Sequence, residues 1–256
     1  MNIQSVSYAS DDPINSRLGK PGSMLLGLLF WTVVCNTAMV GQSVAGNIII
    51  INGVVYDDGG SQMVKGSGVL AREQRRVNEF HDIRIKGGVD VFFRRDADTR
   101  VELSGDDNLL KLIRTDVDGG VLTISSTGSY QTQMPLRVAL TGPQLSAVEM
   151  DGSGDIRLTG LKEKFIRLDL NGSGDVNAEG RTEQLAVRLK GSGNVDAKNL
   201  TADTAEIQLR GSGDIDVNVR QLLDVAIIGS GNVTYFGNPG KIEQQIIGSG
   251  DIGAGD

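Results

Sequence analysis

Residues 148–158 read Val-Glu-Met-Asp-Gly-Ser-Gly-Asp-Ile-Arg-Leu, and this stretch decides the fold. Val148 and Met150 alternate with Glu149 and Asp151, then Gly152-Ser-Gly154 interrupts, and Ile156 and Leu158 resume the alternation. A period of two puts the apolar residues on one face of a strand and the acidic ones on the other. Glycine lets the chain turn a tight corner between two such strands. The string then recurs. Gly-Ser-Gly followed by Asp or Asn starts at Gly152, Gly172, Gly191, Gly211, Gly229 and Gly248, at intervals of 20, 19, 20, 18 and 19 residues. The second corner glycines are Gly154, Gly174, Gly193, Gly213, Gly231 and Gly250.

Two residues before each corner stand Met150, Leu170, Leu189, Leu209, Ile227 and Ile246. Four before stand Val148, Leu168, Val187, Ile207 and Val225, with Gln244 as the exception. Ile or Val follows each corner at 156, 176, 195, 215, 233 and 252. Each unit thus reads strand, glycine corner, strand, second turn. A single unit cannot bury its apolar side, but a stack of units forms a continuous core. A propeller blade needs about twice this period, and helical repeats lack the strict alternation. The expected fold is all-β: a β-solenoid of stacked coils over residues 137–256, preceded by a β-rich section.

Stacking in register would align the outward residues. The coils offer Glu149 and Asp151, then Asp169 and Asn171, Arg188 and Lys190, Gln208 and Arg210, Ala226 and Ile228, and Gln245 and Ile247. The face would pass from acidic to basic to partly apolar. Local charge compensation on a solvated face accounts for the charged coils. The exposed apolar end points to a docking surface centred on Ile228 and Ile247, beside Arg188, Lys190 and Arg210. The last unit carries no capping segment, so its strand edge is a candidate for self-association.

The corner residues Asp155, Asp175, Asn194, Asp214, Asn232 and Asp251 should form a ladder. Asp and Asn suit turns because they hydrogen-bond nearby backbone. The competing reading is a calcium ladder of Asp155, Asp175, Asp214 and Asp251. Calcium-binding Gly/Asp solenoids, however, repeat about every nine residues. Neither a metal site nor a cofactor is expected.

Composition narrows the function. The chain has 256 residues, a net charge of −7, one Cys and one His. Bulk charge argues against nucleic acid as a partner. One Cys excludes an internal disulfide, and sites built on two His or two Cys are absent. His81 would have to serve any Ser-His mechanism, and it is read as a strand-packing residue. No phosphate-binding glycine loop ending in Lys-Ser or Lys-Thr occurs.

Residues 1–45 have the order of a secretory signal: a polar lead with Arg17 and Lys20, an apolar run from Met24 to about Val40, and Ser43-Val-Ala45. An uncleaved signal anchor is the alternative. Cys35 follows Val33 and Val34 rather than a small residue, so it reads as part of the apolar run. Residues 46–65 are a linker or tether. An exported protein in the periplasm, outer envelope or extracellular space follows.

Residues 66–145 also read as mostly β. Val89, Val91 and Phe93 alternate, as do Val101 and Leu103. Asp106-Asp107 before Asn108-Leu-Leu-Lys-Leu-Ile113 predicts an N-cap and one or two helical turns. Asp118-Gly-Gly120 predicts a hairpin turn.

The Lys65-Gly-Ser-Gly68 opening, the stretch from Phe80 to Val91, the Asp107-Asn-Leu-Leu110 segment and the serial corners together resemble a known family, the putative auto-transporter adhesin head domain, or head GIN domain. The resemblance covers residues 66–256. It implies a secreted or envelope bacterial protein with a stacked β-helix-like fold and no catalytic residues. The expected function is a non-catalytic binding or adhesion surface for an envelope polysaccharide or a surface protein. The alternatives are a carboxylate-based polysaccharide-processing enzyme, with Asp169 near Arg188, and a self-associating structural envelope protein.

Overall fold

The computed structural model describes residues 49–51, 54–56 and 62–255. The signal segment expected over residues 1–45, with Cys35, lies outside the described residues. The first strands are β1 (Ile49–Ile51), β2 (Val54–Tyr56), β3 (Gln62–Lys65), β4 (Leu70–Arg75), β5 (Asp82–Gly87), β6 (Asp90–Arg95) and β7 (Arg100–Asp106). A single turn, α1 (Asp107–Leu110), follows, then β8 (Ile113–Asp118), β9 (Val121–Ser126), β10 (Ser129–Gln131), β11 (Arg137–Gly142) and β12 (Ala147–Gly152). The stack continues as β13 (Ile156–Gly172), β14 (Val176–Gly191), β15 (Val195–Gly211) and β16 (Ile215–Gly229), and closes with β17 (Val233–Phe236), β18 (Lys241–Gly248) and β19 (Ile252–Ala254).

The expected solenoid is present, and its coils stack in parallel and in register. Met150 lies beside Leu170, Leu170 beside Leu189, Leu189 beside Leu209, and Leu209 beside Ile227. All five are buried, and they form one continuous apolar column. Each such side chain contributes about 1.5–3 kcal/mol of burial. The strands between corners run unbroken for 15 to 17 residues. In these coils the second turn is therefore a bend with a shift of register, as between Leu158 and Leu161, whereas in the last coil residues 237–240 leave the strand between β17 and β18.

The corner glycines have two physical reasons. Gly172 has φ 144°, and a Cβ there would sit 1.8 Å from the Gly152 carbonyl oxygen. Gly174 has no unusual φ, but a Cβ would meet the Gly154 carbonyl oxygen at 2.1 Å. The first corner position needs both a rare backbone conformation and space. The second needs only space, because successive corners approach backbone to backbone.

The stack starts one coil earlier than the serial motif indicates. Gly87 pairs with Gly152, Ile85 with Met150, and Val91 with Ile156. Residues 82–95 thus form a coil whose corner is Gly87-Gly-Val-Asp90. Two sets of strands extend the same sheet beyond it. On one face β5 pairs with β9, which forms an antiparallel hairpin with β8. Gly119 and Gly120, at φ 55° and 80°, make the expected turn. On the other face β6 pairs with β11, β11 with β7, and β7 with β4.

The helix expected after Asp106 is one turn long, and Asp106 makes no side-chain cap to it. Its fully buried carboxylate turns elsewhere and accepts N–H donations from Gly68 at 2.7 Å, Gln133 at 2.9 Å and Met134 at 3.0 Å. Burial alone would raise its pKa, but these backbone donors outweigh it and hold the carboxyl below its ordinary value. Around it, Ser67 N–H donates to Asn108 Oδ1 at 2.9 Å, and Asn108 Nδ2 donates to the Lys65 carbonyl at 2.8 Å. Three sequence segments far apart in the chain therefore close one polar knot.

Candidate functional site

The coil face before the corners carries two parallel rows of outward side chains. The inner row runs Arg84, Glu149, Asp169, Arg188, Gln208, Ala226 and Gln245. The outer row runs Lys86, Asp151, Asn171, Lys190, Arg210, Ile228 and Ile247. Neighbours within a row are one strand spacing apart, about 4.8 Å. The expected order of acidic, basic and apolar coils is thus laid out along the stack. Lys190, Arg210, Ile228 and Ile247 occupy four consecutive places of one row, and Arg188 stands beside Lys190 in the other.

The two rows treat their charges differently. In the inner row Arg84 Nε donates to Glu149 at 2.7 Å, which raises the Arg84 pKa through that hydrogen bond and the carboxylate's charge. Asp169 lies 3.1 Å from Arg167 and 3.7 Å from Arg188. Cations and carboxylates there neutralise each other across strands. In the outer row, Lys190 and Arg210 stand side by side, and neither has an ion-pair partner among the described residues. Both are exposed. Ile228 and Ile247, next along, are 44% and 57% exposed. A shallow cavity of about 340 Å³ lies over the charged part of this face. Glu149, Asp169, Arg188, Lys190 and Arg210 are among its walls.

The corner ladder is a chain of side-chain to backbone hydrogen bonds. The N–H of Asp155 donates to Asp90 Oδ1 at 3.1 Å, and that of Asp175 to Asp155 Oδ1 at 3.1 Å. Asn194, Asp214, Asn232 and Asp251 continue it, each donating to the Oδ1 of the coil before at 2.8 to 3.2 Å. Where Asn follows Asp, its Nδ2 adds a second bond at 3.0 Å, as Asn194 does to Asp175 and Asn232 to Asp214. These bonds give the ladder a structural role that needs no cation. No group of three or more metal-ligating side chains lies together among the described residues.

Sequence reasoning missed Arg84 and Lys86, which begin the two rows. Their signal was present: they precede Gly87 by three and one residues, as Arg188 and Lys190 precede Gly191. It also missed a second cavity, about 340 Å³, on the face after the corners. Phe92, Arg137, Arg157 and Asp175 line it, and the Arg137 guanidinium sits 5.6 Å from the Phe92 ring centroid. Arg137 comes from outside the repeats, so spacing could not place it. His81, half-exposed, lies 3.2 Å from Asp82 and packs over Gly120. Among the described residues no helix is long and apolar enough to cross a membrane.

Comparison with known proteins follows this geometry. The sequence profile described as "putative auto-transporter adhesin, head GIN domain" matches residues 79–239. A putative adhesin from Bacteroides fragilis superposes with a TM-score of 0.64 at 25% identity, over 75% of this chain and 99% of its own. A putative lipid binding protein from Parabacteroides distasonis gives 0.50 at 22%, over 76% and 100%. A putative adhesin from Parabacteroides merdae gives 0.50 at 20%, over 76% and 99%. The latter two show likeness of fold alone. A search of curated proteins found none similar in sequence to this chain.

Proposed function

We propose, for a chain that belongs to the family of the putative auto-transporter adhesin, head GIN domain, a non-catalytic role: binding an acidic envelope polymer along its outer row. The observation that carries this reading is the adjacent pair of like charges Lys190 and Arg210, exposed and without ion-pair partners among the described residues, beside an inner row whose charges are paired. Two like charges one strand spacing apart repel each other unless an anion bridges them. A polysaccharide with carboxylate or phosphate groups supplies such anions in series, and Arg210 can take one in a forked geometry. The overall charge of −7 keeps this attraction local, so a flexible polymer reaching one row fits better than a large anionic surface.

The carboxylates of the inner row support binding over acid–base chemistry. Glu149 and Asp169 are each held by a guanidinium, as structural ion pairs are. A location outside the cytoplasm, where such polymers occur, agrees with the leader-like order of residues 1–45 and with the family.

The test is binding of the full chain to immobilised acidic and neutral polysaccharides at low and moderate salt. Acidic polymer should bind, weaken with salt, and lose at least about tenfold in affinity in a Lys190→Glu, Arg210→Glu variant. Equal binding by the variant, or depolymerisation of the polysaccharide, would overturn the reading.

A further inference from the structure

The strand β18 breaks the rules of the stack in two ways, and one explanation covers both. Its residues Ile242, Gln244 and Ile246 continue the core columns of Leu223, Val225 and Ile227. The three earlier residues are buried, whereas every residue of β18 is exposed. Ile242 and Ile246 are each 37% exposed, and Ile247 on the other face 57%. Among the described residues, β18 pairs only with β16, so its other edge is open. The second anomaly is Gln244, a polar residue at a position where the preceding coils carry Val225, Ile207, Val187 and Leu168.

The inward side of β18 is a palindrome: Ile242, Gln244, Ile246 reads the same in both directions. An antiparallel strand pair has a two-fold axis normal to the sheet, and residues directly opposite share a face. We propose that two copies of this chain join by antiparallel pairing of their β18 edges, with the dyad at Gln244. In that register Ile242 faces Ile246 of the second copy on the inward side. The two Gln244 side chains meet each other, and amide to amide they satisfy both donor and acceptor. A slip of one residue would set the apolar inward set against the polar outward set. A slip of two would set Gln244 against isoleucine. The amide therefore fixes the register, as a buried polar residue does in a coiled-coil seam. The pairing is isologous, so it closes at two copies and does not propagate.

The same symmetry has a consequence for the outer row. An axis normal to the sheet leaves the outward faces of both copies pointing the same way. Arg210 is in register with Ile247, three residues from the dyad, so the two Arg210 side chains stand five strand spacings apart across the strands and six residues apart along them, about 31 Å in all. Two cationic pairs on one continuous face would engage a polymer bivalently, which raises avidity without new contacts. This consequence rests on the polymer-binding reading. The dimer does not.

The experiment is sedimentation of the full chain in a Cys35→Ser background over a range of concentrations, beside Gln244→Lys. A reversible dimer should form, and Gln244→Lys should shift it at least tenfold toward monomer with an unchanged melting profile. The register is checked by disulfide trapping. Gln244→Cys should cross-link to itself. Ile242→Cys should not, but should cross-link when mixed with Ile246→Cys. A monomer at every concentration, or a dimer indifferent to Gln244→Lys and untrapped by Gln244→Cys, would overturn the proposal. Polymer binding lost in the Lys190→Glu, Arg210→Glu variant with the dimer intact would separate the two assignments.

Discussion

Asp175 holds Asn194 with one oxygen: its Oδ1 accepts the Asn194 backbone N–H at 2.8 Å and Nδ2 at 3.0 Å. Both residues are exposed at the corner, yet each bond ties one coil to the next. Asp175→Asn keeps an acceptor for the N–H and should be nearly neutral. Asp175→Ala should cost about 1 kcal/mol, the ordinary net value of such bonds when solvent competes. Thermal melts of the two variants check this. The same melts with a chelator test the calcium reading of Asp155, Asp175, Asp214 and Asp251. An unchanged midpoint is expected, and a fall on chelation would restore the cation.

The second corner glycine makes a sharper case. A Cβ at Gly174 would lie 2.1 Å from the Gly154 carbonyl oxygen, and that atom belongs to backbone. Neither coil can move without breaking the hydrogen-bonded stack. Gly174→Ala should therefore cost several kcal/mol, in the range of the severe single substitutions. Ser173→Ala, between the same two glycines, should stay within about 0.5 kcal/mol, because its side chain is exposed. Urea unfolding of both variants measures the contrast.

Much of the stack was legible because two independent periods coincide in it. The period of two within each strand assigned Leu189 to the core and Lys190 to the surface, and the 18-to-20-residue period aligned them across coils. The coil at Gly87 was not read, although Ile83, Ile85, Asp90 and Val91 stand at the same offsets from it as their counterparts do from later corners. Its Gly-Val replaces Ser-Gly, and 65 residues separate Gly87 from Gly152 because β7 to β11 are inserted between them. Asp106 was read as a helix cap, the common use of Asp before a helical run. Its true partners, Gly68 and Gln133, lie on segments that no local rule connects. The outer row was legible as a list of residues. Its unpaired cations were not, because pairing depends on Arg84 and Arg167, which belong to other coils and positions.

The assignment of faces can be tested at two adjacent residues. Leu189 is 1% exposed in the central column, and Lys190 points outward. Leu189→Asp buries a charge without a partner and should unfold the domain or lower its stability by more than about 4 kcal/mol. Lys190→Asp should leave the melting temperature nearly unchanged. Equal destabilisation by both variants would defeat the assigned faces.

Asp106 makes the stability of the domain depend on acid. Its carboxylate accepts three backbone N–H bonds in the folded state and none of them in the unfolded chain. The folded pKa is therefore below the unfolded one, which lies near 3.9 for an Asp. The folded state binds the proton less readily. The stabilisation from this group is fully present above the unfolded value, and it is lost as pH falls through the folded one. Asp106→Asn replaces an acceptor-only group with one that turns an NH₂ toward three N–H donors. At neutral pH it should cost about 3 kcal/mol, since at least one buried donor loses its partner. As pH drops below about 4, the unfolded native chain takes up the proton first and the gap between native protein and variant begins to close; it closes fully once the folded carboxylate is protonated too. Melting temperatures of both proteins from neutral pH to pH 2 measure this convergence. A gap that stays constant across that range would mean that the carboxylate charge does not contribute to holding the knot closed.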